Sequence, residues 1–210
     1  MGLYGIVLAS GQSVRMGGKD KPKLHLSWRG ISILEHVLNK ISAAVFQSVN
    51  VVIPHHDACL RGIVHDYGHT AIMNYSPESG MGHSLSLGIR SLPIDAEAVI
   101  LFLGDQPTIS TTDIKAIRYV FQQMRAEHEY CPKAIIQMKY RDGKVGHPIL
   151  FSHHFFSELS TVTGDKGGRD IIRANFDFLI LCESKHIYPE DIDTPLDYKK
   201  LLKGDIPSYE

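Results

Sequence analysis

The chain has 210 residues, 43% of them hydrophobic and 21% charged, with a formal net charge of −1. That length buries one good core, so a single domain over residues 1–210 is expected, and the balanced charge leaves no basic footprint for nucleic acid. No apolar run reaches membrane-spanning length, no basic segment precedes the first apolar residues, and Cys59, Cys131 and Cys182 are too widely spaced for a disulfide framework or a zinc site, which leaves reduced thiols in a cytoplasmic protein.

The first predicted element is a buried strand at Leu3–Leu8. It opens into Ala9-Ser10-Gly11-Gln12-Ser13-Val14-Arg15-Met16-Gly17-Gly18-Lys19, and Lys23 follows. Ala9, Ser10 and Gly11 are small enough for backbone N–H groups to approach an anion, and the glycines tolerate positive φ. Arg15 and Lys23 add two cations suited to a polyphosphate. The segment is neither a P-loop, because Ser13 stands five before Gly18 and Asp20 follows Lys19, nor a dinucleotide G-x-G-x-x-G.

A helix is predicted from Ile33 to Ala43, with Ser32 and Glu35 as its capping box and Leu34, Val37, Leu38 and Ile41 on one face. Strands follow at Val49–Ile53 and Ala71–Asn74, then a short helix from Ser84 to Ser91 and a strand at Ala98–Leu103. After Ser110 comes a helix with Asp113 in its first turn and Ile114, Ile117, Phe121 and Met124 on its apolar face. Strands at Ala134–Tyr140 and Phe178–Leu181 and helices at Arg169–Ala174 and Pro195–Leu202 complete the chain. Alternation of strand and helix predicts an α/β fold of three layers, a doubly wound and mainly parallel sheet of Rossmann-like type.

Ligands of such sheets bind beyond the C-terminal ends of the strands, which selects the loop after Leu8 and the segment Leu103-Gly104-Asp105-Gln106-Pro107. Asp105 reads either as a carboxylate facing phosphates, from which Mg²⁺ can be held, or as a turn cap. Near the C-terminus, Asp191-Ile192-Asp193-Thr194-Pro195-Leu196-Asp197 reads as a helix entry with Thr194 at the N-cap and Pro195 at N1. The adjacent pairs His55-His56 and His153-His154 do not converge well on one ion, so no histidine zinc site is expected.

Leu8 to Gly17 resembles the signature loop of the MobA-like nucleotidyltransferases, L-A-[AG]-G-x-S-x-R-M-G followed by a Lys. The similarity leans to the molybdenum cofactor cytidylyltransferase branch, which includes relatives serving purine catabolism through xanthine dehydrogenase. The resemblance implies the fold of nucleotide-diphospho-sugar transferases, a magnesium ligand at Asp105, and a completing carboxylate at Asp193. Gly80-Met81-Gly82-His83-Ser84-Leu85 is similar to the family's G-M-x-x-S-L segment around base and ribose, which points to Gly80 and Ser84 as nucleotide contacts. Gly146-His147-Pro148 matches its G-H-P segment, and Gly164-Asp165-Lys166-Gly167-Gly168-Arg169 resembles G-D-x-G-A-R. These put His147, Lys166 and Arg169 on the acceptor side.

The implied reaction transfers a nucleoside monophosphate to the terminal phosphate of molybdopterin, the molybdenum cofactor, with Mg²⁺ and loss of pyrophosphate. Phosphates would rest on Ala9, Ser10 and Gly11, while Arg15, Lys23 and Asp105 form the catalytic set. Ser10 matches neither the guanylyl nor the cytidylyl version of the loop; Gly80-Met81 and Gly104-Asp105-Gln106-Pro107 favour CTP over GTP. The product would serve a recipient molybdoenzyme. Guanylyl transfer to the same cofactor, a sugar- or polyol-phosphate nucleotidyltransferase, and a non-catalytic cofactor carrier remain the alternatives.

Overall fold

The computed structural model describes residues 2–17, 22–42, 44, 46–165 and 167–209. Gly18, Lys19, Lys166 and the helix end expected at Ala43 lie outside the described residues.

In chain order the elements are β1 (Leu3–Leu8), a small ribbon β2 (Ser27–Trp28) and β3 (Ile31–Ser32), α1 (Ile33–Ser42), β4 (Val49–Pro54), α2 (Ala58–Asp66) and β5 (Thr70–Asn74). Then come α3 (Gly80–Arg90), β6 (Ala98–Leu103), α4 (Thr111–Ala126), β7 (Ile135–Lys139) and β8 (Val145–Ser152). Two short helices, α5 (Phe156–Leu159) and α6 (Arg169–Ala174), precede β9 (Leu179–Glu183) and α7 (Pro195–Lys203). Seven strands form one sheet in the order β5-β4-β1-β6-β8-β7-β9. Only β8 is reversed, pairing antiparallel with both β6 and β7.

Strand alternation splits the core into two layers, as a two-faced sheet requires. On one face Val7 of β1 and Ile100 and Phe102 of β6 meet α1, α2, α4 and α7. On the other, Tyr4 and Ile6 of β1 and Val99 and Leu101 of β6 meet α3, α5 and α6. Helix α3 comes close to β1 because Gly88 faces it; a Cβ there would stand 2.8 Å from Ile6 Cγ2.

The expected capping box of α1 is present, with Ser32 N–H donating to Glu35 Oε2 (2.7 Å) and Glu35 N–H to Ser32 Oγ (3.3 Å). Helix α3 begins four residues earlier than its sequence indicates, at Gly80 rather than Ser84. Glycines weaken a helix by about 1 kcal/mol each, and tertiary packing of the 163–165 loop overrides that cost here. Helix α2 was not anticipated, for it buries only Leu60 and Val64 and so carries little apolar periodicity.

The chain leaves β1 toward β4 and β5 on one side and returns to β6 on the other. The strand order therefore reverses between β1 and β6, where a ligand crevice opens beyond their C-terminal ends.

Candidate active site

Both loops at that reversal are held by continued pairing of the sheet. Ala9 N–H donates to Val52 O (2.9 Å) and Gly104 N–H to Leu8 O (3.0 Å), so the two segments leave side by side. Beyond Ala9, no acceptor among the described residues faces the backbone N–H groups of Ser10, Gly11 and Gln12. Gly11 is exposed, with open space where a Cβ would stand. Free amides over open space are what an anion-binding loop needs.

A cleft of about 550 Å³ runs along this loop. Ala9, Ser10, Gly11, Arg15 and Lys23 line one side of it. Gly80 and Ser84 come from the start of α3, Asp105 from the end of β6, and Asp193 and Arg169 from later segments. His147 does not line it: its ring is half-buried behind, where burial and then the Arg169 charge lower its pKa to about 4. Among the described residues, the side-chain partner of Asp105 is Lys23, so His147 does not orient it.

Lys23 is the electrostatic centre. Only 9% exposed, it donates from Nζ to Asp105 Oδ2 and, at 2.6 Å, to Asp193 Oδ1. Burial disfavours the charged amine, but the two carboxylates outweigh it and raise the Lys23 pKa. Arg15 closes the network from solvent, with its guanidinium 2.7 Å from Asp193 Oδ2. Ser13 Oγ accepts from Lys23 N–H (3.1 Å), which ties the two ends of the loop together.

The C-terminal segment reaches the site by one backbone bond, Ile192 N–H to Asp105 O (2.9 Å), with the Ile192 side chain fully buried. Its neighbours Asp191 and Asp193 both line the cleft. Helix entry is equally real: Thr194 and Asp197 form a complete capping box, and Pro195 sits at the start of α7. Asp191 carries no assigned role in the sequence motif, yet it lies beside the other carboxylates and accepts from Gln106 Nε2 (2.8 Å). Burial, and next the charge of Asp105, push the Asp191 carboxyl up to about 6. The alternation of acids around Ile192 carried that signal.

A second polar knot lies at the loop's base. Ser10 Oγ and Ser84 Oγ are 2.6 Å apart, and buried Asn74 at the end of β5 donates to both, at 3.0 and 3.2 Å. Asn74 was missed, although an amide at a strand's C-terminal end is a legible sign. Gly80 adopts φ +86°, and a Cβ there would collide with Asp165 Oδ1 and approach Gly164 C at 2.8 Å. Residues 163–165 thus pack against the start of α3, and Arg169 lines the cleft, where it has no partner among the described residues. Lys166 lies outside the described residues.

Along the other side of the loop after β1 a hollow of about 600 Å³ extends toward β4 and β5. There His25 Nε2 and Asp57 Oδ2 are 2.7 Å apart, and His55 stacks on Tyr75 with centroids 4.8 Å apart.

Comparison with known proteins places this arrangement among nucleotide-handling folds. A family model described as MobA-like NTP transferase domain matches residues 5–178. The chain is 27% identical to the purine catabolism protein PucB of Bacillus subtilis, over 96% of this chain and 97% of that one. Among solved structures it is similar to Rv0371c of Mycobacterium tuberculosis, with a TM-score of 0.81, 27% identity, and coverage of 97% and 98%. Rv0371c in complex with manganese superposes with a TM-score of 0.79 at 25% identity, covering 97% of this chain and 99% of that one.

Proposed function

Because the chain belongs to the MobA-like NTP transferase domain family, we propose that it is a cytoplasmic cytidylyltransferase that moves CMP from CTP to the terminal phosphate of molybdopterin. The cytidylylated molybdenum cofactor would then serve a xanthine dehydrogenase-type molybdoenzyme; the likeness to the purine catabolism protein PucB supports a link to purine catabolism. One observation carries the reading. Lys23 bridges Asp105 and Asp193 at the mouth of a loop whose amides have no acceptor among the described residues.

The donor set fits a magnesium ion. Asp105 and Asp193 supply hard carboxylate oxygens and already converge on one positive charge, the Lys23 ammonium. When bound, Mg²⁺ would neutralise charge on the triphosphate oxygens. The amides of Ser10 and Gly11 receive phosphate oxygens, and Gly80 and Ser84 border the base and ribose. As the nucleotide enters, Lys23 exchanges its carboxylates for phosphate. An oxygen of the acceptor phosphate attacks the α-phosphorus, the bond to the β-phosphate oxygen breaks, and pyrophosphate carries away the electron pair. Arg15 and Lys23 offset the charge that builds on it. The acceptor phosphate is already ionised near neutral pH, so no general base is required, and Arg169 is free to hold that second anion.

The test is magnesium-dependent pyrophosphate release with molybdopterin and each of CTP, GTP, ATP and UTP. Release with CTP supports the reading; release with GTP alone keeps the mechanism and replaces the base. Release only with sugar or polyol phosphates as acceptor moves the acceptor assignment, and stoichiometric binding without release makes the protein a carrier.

A further inference from the structure

We propose that Cys131, His153 and His154 form a binding site for a zinc-type divalent cation, remote from the nucleotide cleft. The Cys131 thiol and one ring nitrogen from each histidine all lie within 4.8 Å of one another. Adjacent histidines on a strand would point to opposite faces. These two leave the strand and open a 3-10 turn at His153–Phe155, which breaks the strand's strict alternation, and their rings lie side by side with centroids 4.1 Å apart. The third donor comes from the fold, because Cys131 precedes β7 and the histidines end its partner β8.

Backbone bonds hold the two segments in register. Glu97 O accepts from His153 N–H (2.8 Å) and lies 3.5 Å from Cys131 Sγ. Ser152 N–H donates to Ala134 O (3.0 Å) and Ala134 N–H to Ser152 Oγ (3.1 Å). That same hydroxyl stands 3.3 Å from His154 Nδ1 and steers the ring. Donors around a tetrahedral zinc are about 3.3–3.8 Å apart, so small side-chain rotations complete the site. Both imidazoles are exposed and can make them.

One thiolate and two imidazoles select a borderline-soft ion over magnesium. Binding forms a metal–sulfur bond and releases the thiol proton to solvent, and water fills the fourth position. Lys133 keeps its ammonium on the Phe178 ring, 4.2 Å from the centroid. The site stands at the sheet end occupied by Glu97 and Ser152, whereas Asp105 follows the opposite end of β6, roughly 20 Å away at strand rise.

Cobalt(II) added to the full chain in excess Mg²⁺ tests this, since Mg²⁺ saturates carboxylates without competing for sulfur. The expected result is a single equivalent bound with a thiolate-to-cobalt charge-transfer band, displaced by zinc. Cys131→Ser abolishes the band, and His153→Ala or His154→Ala, each at an exposed position, weakens zinc binding at least about tenfold. Cys59→Ser leaves the band intact. Absence of the band, its survival in Cys131→Ser, its loss in Cys59→Ser, or unchanged zinc affinity in both histidine variants overturns the proposal.

Discussion

Ser10 and Ser84 meet hydroxyl to hydroxyl at 2.6 Å beneath the loop after β1, with the Asn74 amide donating to both. The pair joins the end of β1 to the start of α3 and so fixes the width of the cleft between them. Because one bond serves both hydroxyls, removing either loses the same interaction. Ser10→Ala and Ser84→Ala are each expected to cost about 1 kcal/mol in urea unfolding, and the double variant less than the sum. Strict additivity would show that the two hydroxyls act independently.

Lys23 holds Asp105 and Asp193 in the absence of ligand and so competes with any cation for them. Lys23→Ala is expected to bind Mn²⁺ more tightly than the wild type when nucleotide is absent, measured by the loss of free-ion paramagnetic resonance. Turnover should fall by on the order of a hundredfold or more, because the leaving pyrophosphate loses a counter-charge. Tighter metal binding with slower chemistry separates this role from a merely structural one.

Asp105→Asn keeps the size of the side chain and removes its charge. Pyrophosphate release is expected to drop on the order of a hundredfold at saturating Mg²⁺. The same turnover and magnesium dependence as the wild type would remove Asp105 from the proposed metal ligands.

Gly80→Ala forces a Cβ into the Gly164 backbone and the Asp165 carboxylate from a positive-φ conformation. A cost of about 1–3 kcal/mol is expected, together with displacement of the segment that carries Arg169. If Arg169 holds the acceptor, as proposed, KM for the acceptor should rise more than KM for the nucleotide. Equal changes in both would contradict the placement of Arg169.

Burial, then the charge of Arg169, depress the His147 pKa to about 4, below the ordinary value of 6.5. A histidine that stays neutral when folded but binds a proton when unfolded makes stability fall as pH drops from 6.5 toward 4. The loss is at most about 3 kcal/mol and is absent above neutral pH. His147→Gln should flatten that part of the unfolding free energy against pH; an unchanged profile would assign the acid sensitivity elsewhere.

Much of this architecture was legible because local and tertiary demands agree. β1, β6 and α6 occupy their expected bounds, and the capping boxes at Ser32 and Thr194 are present. In the loop after β1, small residues and cations stand together in sequence, so this side of the cleft could be read directly. The rest depends on distance in sequence. Nothing near Asn74 announces Ser10 or Ser84, and only the bond from Ile192 to Asp105 makes Asp191 a neighbour of Asp105. Asp113 reads as a polar first-turn residue of α4, yet it is buried, accepting from Ser184 Oγ at 2.7 Å and lying 3.0 Å from His186 Nδ1. Such pairings are decided by which strand neighbours which.

Lys23 and Asp193 are 170 positions apart. Closing a loop of that length costs more chain entropy than closing a turn, and for this ion pair that cost is offset only after the sheet and α7 have been assembled. The loop after β1 can take its shape from neighbours in sequence, whereas the charge arrangement around Lys23 belongs to the assembled fold alone.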